Sequence, residues 1–157
     1  MHSKQRGFSL IELVVVMAII GLLLLKGSIQ LNAWQQHQQL WQTTQQLSLF
    51  LQRLRHDANG RNREHKLILS KNTASWVISS QQTFLLAGQN GKHWTFTPRF
   101  PAIRLVEITP GLGFYGTMNT AKAGHILLEN SAGKSRIIVS SWGRIRHCLT
   151  SGSSPCA

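Results

Sequence analysis

The sequence predicts an α+β fold, in which one long N-terminal helix packs on a C-terminal antiparallel β domain. Three observations indicate this. Residues 8–25 are apolar except for one charge, residues 28–58 contain neither Gly nor Pro, and after residue 65 short β-branched and aromatic segments alternate with turn residues. The 157 residues are enough for one domain and an N-terminal helix.

The apolar run at residues 8–25 predicts a membrane helix. Its 18 residues would form a helix about 27 Å long, close to the hydrocarbon thickness of a bilayer. Lys4 and Arg6 precede the run and favour a cytoplasmic N-terminus. The single charge is Glu12. A carboxylate costs about 2.5–3.5 kcal/mol at the bilayer centre and less near its edge, so Glu12 is expected to have a partner.

Beyond Lys26 the helix is predicted to continue as an amphipathic half that packs on a sheet. One face carries apolar residues at helical spacing: Leu40, Leu47, Leu51, Leu54 and Ala58. The opposite positions are polar: Gln36, Gln39, Gln42, Gln46 and Arg53. The helix is expected to end near Asn59-Gly60, with Gly60 as a left-handed C-cap.

The remainder of the chain is predicted to form an antiparallel β domain. Strands are expected at residues 66–69, 75–79, 83–87, 94–97, 103–108, 126–129, 136–140 and 144–148. Asn90-Gly91 indicates a hairpin between the third and fourth of these. No internal repeat is present.

Charge and cysteine content restrict the partners and the compartment. Seventeen Lys and Arg against five Asp and Glu give a net charge of +12, which indicates either a polyanionic partner or simply a solvated basic surface. Cys148 and Cys156 are the two cysteines. If the domain lies outside the cytoplasm they are free to form a disulfide, and the alternative is two free thiols.

The basic leader, Gly7 before Phe8, and Ser9-Leu-Ile-Glu12 before an apolar helix resemble the N-terminus of type IV prepilins. The resemblance implies cleavage by a prepilin peptidase between Gly7 and Phe8, N-methylation of Phe8, and an assembly contact at Glu12. A secretory signal peptide is disfavoured because no Ala-x-Ala-like site follows the run. A plain membrane anchor leaves Gly7, Phe8 and Glu12 unexplained.

The second half is similar to the GspH/FimT type of minor pilins and pseudopilins. The similarity lies in Pro110-Gly-Leu-Gly-Phe-Tyr-Gly116, Gly124-His-Ile-Leu-Leu128, Arg136-Ile-Ile-Val-Ser140 and Trp142-Gly-Arg-Ile-Arg146. It implies a low-abundance subunit that primes or caps a type IV pilus or a type II secretion pseudopilus. The expected segments are a leader at 1–7, a membrane helix at 8–26, an amphipathic helix at 27–59 and a β domain at 60–157.

The expected partners are the prepilin peptidase, other pilins or pseudopilins, the inner membrane and, as an alternative function, DNA. Gly143-Arg144-Ile145-Arg146 resembles a DNA-binding element of FimT-like minor pilins. In a strand, Arg144 and Arg146 would share a face and bind phosphates, with Lys134, Arg136 and His147 extending the patch. The competing interpretation is a solvated face or a subunit contact.

Catalysis, cofactors and metals have little support in the sequence. The acidic residues form no recognisable pair for acid–base chemistry, and the seven histidines lack metal-ligand spacing. We therefore expect no enzyme activity, no cofactor and no metal site. The histidines are expected on the surface or at caps, and the tryptophans (Trp34, Trp41, Trp76, Trp94 and Trp142) are expected to supply the core.

Overall fold

The computed structural model describes residues 9–71, 75–82, 94–116 and 119–150. Its first element is helix α1, Leu10–Arg61. The chain divides into two compact units, residues 1–35 and residues 36–157. Helix α1 contributes to both, and its second part belongs to the unit that contains the strands.

Helix α1 ends later than the sequence predicts. Its last residue is Arg61, and the residue in the left-handed conformation is Asn62, with φ 49°. The amide of Arg63 donates to the carbonyl of Ala58 at 3.0 Å, the six-to-one bond that closes many helix C-termini. The prediction of Gly60 as the cap was wrong because asparagine also tolerates this conformation, so the helix continues through the glycine.

Nine strands follow among the described residues. They are β1 (His65–Lys71), β2 (Trp76–Gln82), β3 (Thr95–Phe96), β4 (Arg104–Ile108), β5 (Gly113–Phe114), β6 (Ala121–Lys122), β7 (Gly124–Asn130), β8 (Gly133–Val139) and β9 (Ile145–Thr150). Seven of the predicted strands are confirmed by β1–β4 and β7–β9. The predicted strand at 83–87 and the predicted hairpin at Asn90-Gly91 lie outside the described residues.

The strands form two antiparallel sheets. One has the order β3-β2-β1-β5-β6 and the other the order β4-β7-β8-β9. In the second sheet, β7 and β8 form a hairpin whose pairing runs from Gly124–Val139 to Asn130–Gly133. Strand β9 then pairs with β8, from Lys134–Thr150 to Val139–Ile145. The predicted α+β class is confirmed.

The core lies between the second part of α1 and the two sheets. The predicted helical stripe is confirmed, since Leu40, Leu47, Leu51, Leu54 and Ala58 are all at most 1% exposed. They join one apolar cluster with side chains of both sheets, among them Ile78, Phe114, Ile126, Leu128 and Ile137. Burial of a helical stripe against sheet side chains is the main source of stability in such a domain.

Two hydrogen-bonded pairs add polar contacts between the helix and the second sheet. The Thr44 and Ser135 hydroxyls lie 2.8 Å apart, and both residues are fully buried. The Asn130 amide donates to the carbonyl of Gln36 at 2.7 Å. Because buried polar groups are costly when unpaired, these pairs favour one register of the helix on the sheet.

The expectation that all tryptophans supply the core was only partly right. Trp76 is 6% exposed and donates its indole N–H to the carbonyl of Ile103 at 2.9 Å, and Trp94 packs against the core. Trp34 and Trp142 are 60% and 73% exposed. Periodicity alone does not separate these cases, because Trp142 lies in a turn and Trp34 in the unit without strands.

Candidate functional site

The start of α1 holds the predicted assembly residue Glu12. The carbonyl of Ser9 accepts hydrogen bonds from the amides of Glu12, at 3.0 Å, and Leu13, at 3.3 Å. Glu12 is in the first turn, where a negative charge interacts favourably with the helix dipole. Ser9 and Glu12 also have the spacing of a capping box, a signal that our sequence interpretation missed.

The predicted processing residues Gly7 and Phe8 lie outside the described residues. Large apolar side chains between Leu10 and Leu22 are exposed, from 47% to 80%. Over the part of the chain that the structure describes, no helix has the length and apolarity needed to cross a membrane.

The β8–β9 connection contains the predicted arginine motif. The amide of Gly143 donates to the carbonyl of Ser140 at 2.9 Å, and the amide of Ser140 donates to the carbonyl of Arg144 at 3.0 Å. The amide of Arg144 also donates to the Ser140 hydroxyl at 3.1 Å. Gly143 has φ +68°, so the loop 141–143 closes with a left-handed glycine and leaves Trp142 exposed at its tip.

The two arginines of the motif do not lie in one strand. Strand β9 begins at Ile145, so only Arg146 belongs to it, opposite Ile138. Arg144 precedes the strand by one residue and its carbonyl still accepts from the Ser140 amide, so a shared face for Arg144 and Arg146 stays a prediction. Both side chains are exposed.

Arg144 lies instead beside the last turns of α1. It borders a surface depression of about 440 Å³ whose other lining residues are Gln52, Arg55, His56, Asn59 and Ile145. The depression therefore brings together two arginines and a histidine from two elements. The helix residues of this group were not predicted, since nothing in a single sequence links positions 55 and 56 to position 144.

The other basic residues expected in the patch fall into two groups. Lys134 and Arg136 are exposed on β8, and the Lys134 ammonium lies 3.8 Å from the Glu129 carboxylate. His147 faces the helix, because its Nε2 lies 3.1 Å from the Gln45 amide nitrogen. Its ring packs edge-on against Trp41 at 5.4 Å. The proposed extension of the patch by His147 was therefore wrong.

Cys148 lies in β9 opposite Arg136. Cys156 lies outside the described residues, so the Cys148–Cys156 disulfide stays a prediction.

A buried polar cluster connects α1 with the first sheet and was missed by sequence reasoning. The ring of His65 is fully buried, with Nδ1 2.7 Å from the Ser80 hydroxyl and Nε2 2.9 Å from the Asp57 carboxylate. Asp57 also pairs with Arg61 at 3.4 Å. The expectation of surface or capping roles was wrong for His65. Ser80 is only 5% exposed, which places its hydroxyl out of reach of a substrate.

Comparisons with known proteins agree with this architecture. The prokaryotic N-terminal methylation motif matches residues 2–25. The chain is similar in structure to the minor pseudopilin EpsH from the type 2 secretion system of Vibrio cholerae, with a TM-score of 0.51 and 12% sequence identity. The fold is pseudopilin-like. The match covers 73% of this chain and 99% of the EpsH chain, and no curated protein sequence matches the chain.

The matched motif and the pseudopilin-like fold were found in the same chain. The motif covers the predicted leader and the start of α1, whereas the structural match covers most of the chain. Together they show a prokaryotic N-terminal methylation motif in a chain with a pseudopilin-like fold. They are compatible both with a type IV pilus and with a type II secretion system.

Proposed function

We propose that this chain is a minor type IV pilin or pseudopilin that primes or caps a filament. The observation that carries the proposal is the placement of the methylation motif, residues 2–25, at the start of a helix that continues to Arg61 and into a pseudopilin-like domain. A subunit needs both an assembly helix and a folded domain. We propose a structural role and no enzymatic one.

The proposed processing site is the Gly7–Phe8 bond, with N-methylation of Phe8 after cleavage. The mature chain would be held in the inner membrane by residues 8–26, as a single pass with its β domain in the periplasm. A disulfide between Cys148 and Cys156 fits that oxidising compartment. The partners would be the prepilin peptidase and other pilins or pseudopilins, at the tip of the filament.

Glu12 is proposed as the assembly contact. Cleavage at Gly7 would create an α-ammonium group at Phe8, close enough in sequence to offset the Glu12 carboxylate within its own helix or in a neighbouring subunit. The exposed apolar residues between Leu10 and Leu22 favour burial against lipid or other helices. A charge inside such an apolar environment is stabilised only when it is paired, so pairing would fix the axial position of each subunit.

Within this class, we propose that the chain is related to the prepilin peptidase-dependent A proteins of enteric bacteria. The likeness lies in Leu40-Trp-Gln42, His56-Asp-Ala-Asn59, Pro98-Arg-Phe-Pro101, Asn119-Thr-Ala121 and the C-terminal cysteine pair. The H-type pseudopilin of type II secretion is the alternative. Co-purification with the pilins of one machine or the pseudopilins of the other separates the two.

Processing is tested by co-expressing the full chain with a prepilin peptidase and measuring the mass of the N-terminal peptide. We expect a mature chain that begins with N-methylated Phe8, and no cleavage of the Gly7→Lys variant. Ser3→Lys, inside the leader but away from the bond, is the control and should be processed. Identical masses with and without the peptidase would refute the proposal.

Assembly is tested by comparing Glu12→Ala with Glu107→Ala in a cell that builds the filament. Glu107 is an exposed carboxylate on β4, so its variant removes the same charge from a strand instead of from the helix. We expect Glu12→Ala to be cleaved normally but to be missing from filaments, and Glu107→Ala to assemble. Normal incorporation of Glu12→Ala would refute the assembly role while leaving the processing proposal intact.

A second candidate function is DNA binding, as uptake of DNA would require. The observation that favours it is the exposure of Arg144 and Arg146 on either side of Ile145, next to the exposed ring of Trp142. Cationic groups and an aromatic face together favour sequence-independent binding of nucleic acid. Fluorescence anisotropy with labelled duplex DNA at low salt tests this.

The matched variants for that measurement are Arg144→Gln/Arg146→Gln and Arg53→Gln/Arg104→Gln. Both lower the charge by two, and Arg53 and Arg104 are exposed elsewhere. We expect only the first pair to weaken binding markedly. Equal affinities for the two double variants would exclude a DNA role for the motif.

A further inference from the structure

The depression between α1 and the β8–β9 loop has a strongly cationic lining. Arg55 and His56 come from the helix and Arg144 from the loop, with Gln52 and Asn59 as polar neighbours. Among the described residues that line it, none is acidic. The two arginines alone give the depression a formal charge of about +2.

The nearest acidic residue in sequence does not neutralise this charge. The carboxylate of Asp57 is occupied by His65, at 2.9 Å, and by Arg61, at 3.4 Å. Within the described parts of the chain, neither Arg55 nor Arg144 forms an ion pair. The positive charge at the depression therefore has no compensating carboxylate among the described residues.

The Arg55 side chain lies close to the backbone of Gly143. A Cβ built on Gly143 would lie 3.0 Å from Nε and 3.3 Å from Cδ of Arg55, so the side chain passes directly beneath the glycine. Its Nε is buried and has no hydrogen-bond partner within the described structure. A partly desolvated cation without a partner is costly, and an anion bound at the depression would lower that cost.

We propose that Arg55, His56 and Arg144 form a binding site for a phosphate group. Arginine donates in a planar fork that suits phosphate oxygens. Here the donors come from two different elements, which suits a tetrahedral anion better than a planar carboxylate. The group is either a free phosphate or the phosphodiester of a nucleic acid. The site shares Arg144 with the proposed DNA-binding role and extends it by Arg55 and His56, so its nucleic-acid form rests on that role, whereas a free-phosphate site requires neither filament assembly nor a DNA contact at Arg146.

Inorganic phosphate is the probe for the first experiment. The ¹⁵N-labelled full chain in detergent micelles is titrated with it at constant ionic strength, and the Nε–H signals of the arginines are followed. We expect saturable shifts of the Arg55 and Arg144 signals, with the Arg55 signal identified by its loss in Arg55→Gln. Arg144→Gln should weaken phosphate binding about tenfold, the loss expected for one hydrogen-bonded contact to a charged group.

Arg53→Gln is the matched control, because it removes the same charge two residues away from an exposed position of α1. It should change phosphate affinity less than twofold. Arg55→Gln supports the proposal only if its circular dichroism spectrum is unchanged, and Arg144→Gln, on an exposed loop residue, provides the independent variant. Absence of saturation, or equal weakening by Arg53→Gln and Arg144→Gln, would overturn the site.

In a second experiment the binding of a duplex oligonucleotide is measured for the same variants. It distinguishes a site for free phosphate from a site for the phosphodiesters of a nucleic acid. If Arg55→Gln weakens the binding of both ligands, the site binds phosphodiesters as well as free phosphate. Binding of inorganic phosphate alone supports a small-anion site. Oligonucleotide binding that depends on Arg146 but not on Arg55, without any inorganic phosphate binding, would overturn the site and leave the DNA-binding role standing.

Discussion

His65 Nε2 lies 2.9 Å from a carboxylate oxygen of Asp57, which joins the first residue of β1 to the last two turns of α1. The His65 side chain is fully buried and that of Asp57 is 10% exposed. The opposite nitrogen of the ring lies 2.7 Å from the Ser80 hydroxyl on β2. One imidazole therefore connects the helix to two paired strands, and both of its nitrogens are satisfied.

We expect His65→Leu to destabilise the domain by about 2–4 kcal/mol, because it leaves a mostly buried carboxylate and a buried hydroxyl without this partner. Arg61 would still pair with Asp57, which limits the loss. Urea unfolding of the full chain in one fixed detergent measures the difference as a lower midpoint.

The control for that measurement is His56→Leu. His56 is exposed on the same helix, so its replacement should change stability by less than about 0.5 kcal/mol. If both histidine variants unfold at the same urea concentration as the unmodified chain, the cluster contributes nothing to stability and our interpretation of it is wrong.

Gly143→Ala tests the loop that places Arg144. A side chain at φ +68° is strained, and its Cβ would lie 3.0 Å from Arg55 Nε. We expect a loss of about 1–3 kcal/mol, measured as a lower melting temperature. Arg55→Ala combined with Gly143→Ala should recover the part due to the steric contact. A melting temperature unchanged by Gly143→Ala would contradict the loop geometry.

Gly60 and Asn62 distinguish the predicted helix end from the observed one. Gly60 is helical, with nothing within 4 Å of a built Cβ, so Gly60→Ala should stabilise the helix by up to about 1 kcal/mol. Asn62 has φ 49°, so Asn62→Ala should destabilise it by about 1 kcal/mol. A higher melting temperature for Gly60→Ala and a lower one for Asn62→Ala would confirm that the helix ends at Arg61. Destabilisation by Gly60→Ala would instead support the cap that the sequence predicted.

Most of the fold was predicted from the local periodicity of apolar residues. The stripe from Leu40 to Ala58 repeats over several turns, so its burial follows from spacing alone. Strands β5 and β6 have two residues each, which is too short for an alternating pattern, and they were missed. The helix end was misplaced by two residues because a glycine and an asparagine compete for the same cap.

Contacts between distant residues account for what could not be predicted at the sites. His65 is buried because Asp57 and Ser80 approach it from α1 and β2, and no single segment contains that relationship. The sequence placed the start of the last strand at Arg144, one residue before β9 begins at Ile145. Gly143 adopts a left-handed conformation in the loop just before Arg144, and Arg144 lines the depression beside α1, which no local pattern indicates.

Trp76 and Trp142 test whether the burial of tryptophan, rather than its presence, determines stability. Trp76 is 6% exposed, its ring packs near Phe96, and its indole bonds to the carbonyl of Ile103. Trp76→Ala should therefore cost about 3–5 kcal/mol. Trp142 is 73% exposed at the tip of a loop, and Trp142→Ala should cost less than about 0.5 kcal/mol.

Trp76→Phe separates the hydrogen bond from the packing. It keeps an aromatic ring but leaves the buried carbonyl of Ile103 without the indole donor, which should cost about 1–3 kcal/mol, less than Trp76→Ala. Urea unfolding of Trp76→Ala, Trp76→Phe and Trp142→Ala gives the order of their stabilities. A Trp142→Ala variant as unstable as Trp76→Ala would mean that the loop tip packs against the domain, and Trp142 would then be unavailable to any partner of the assembled filament.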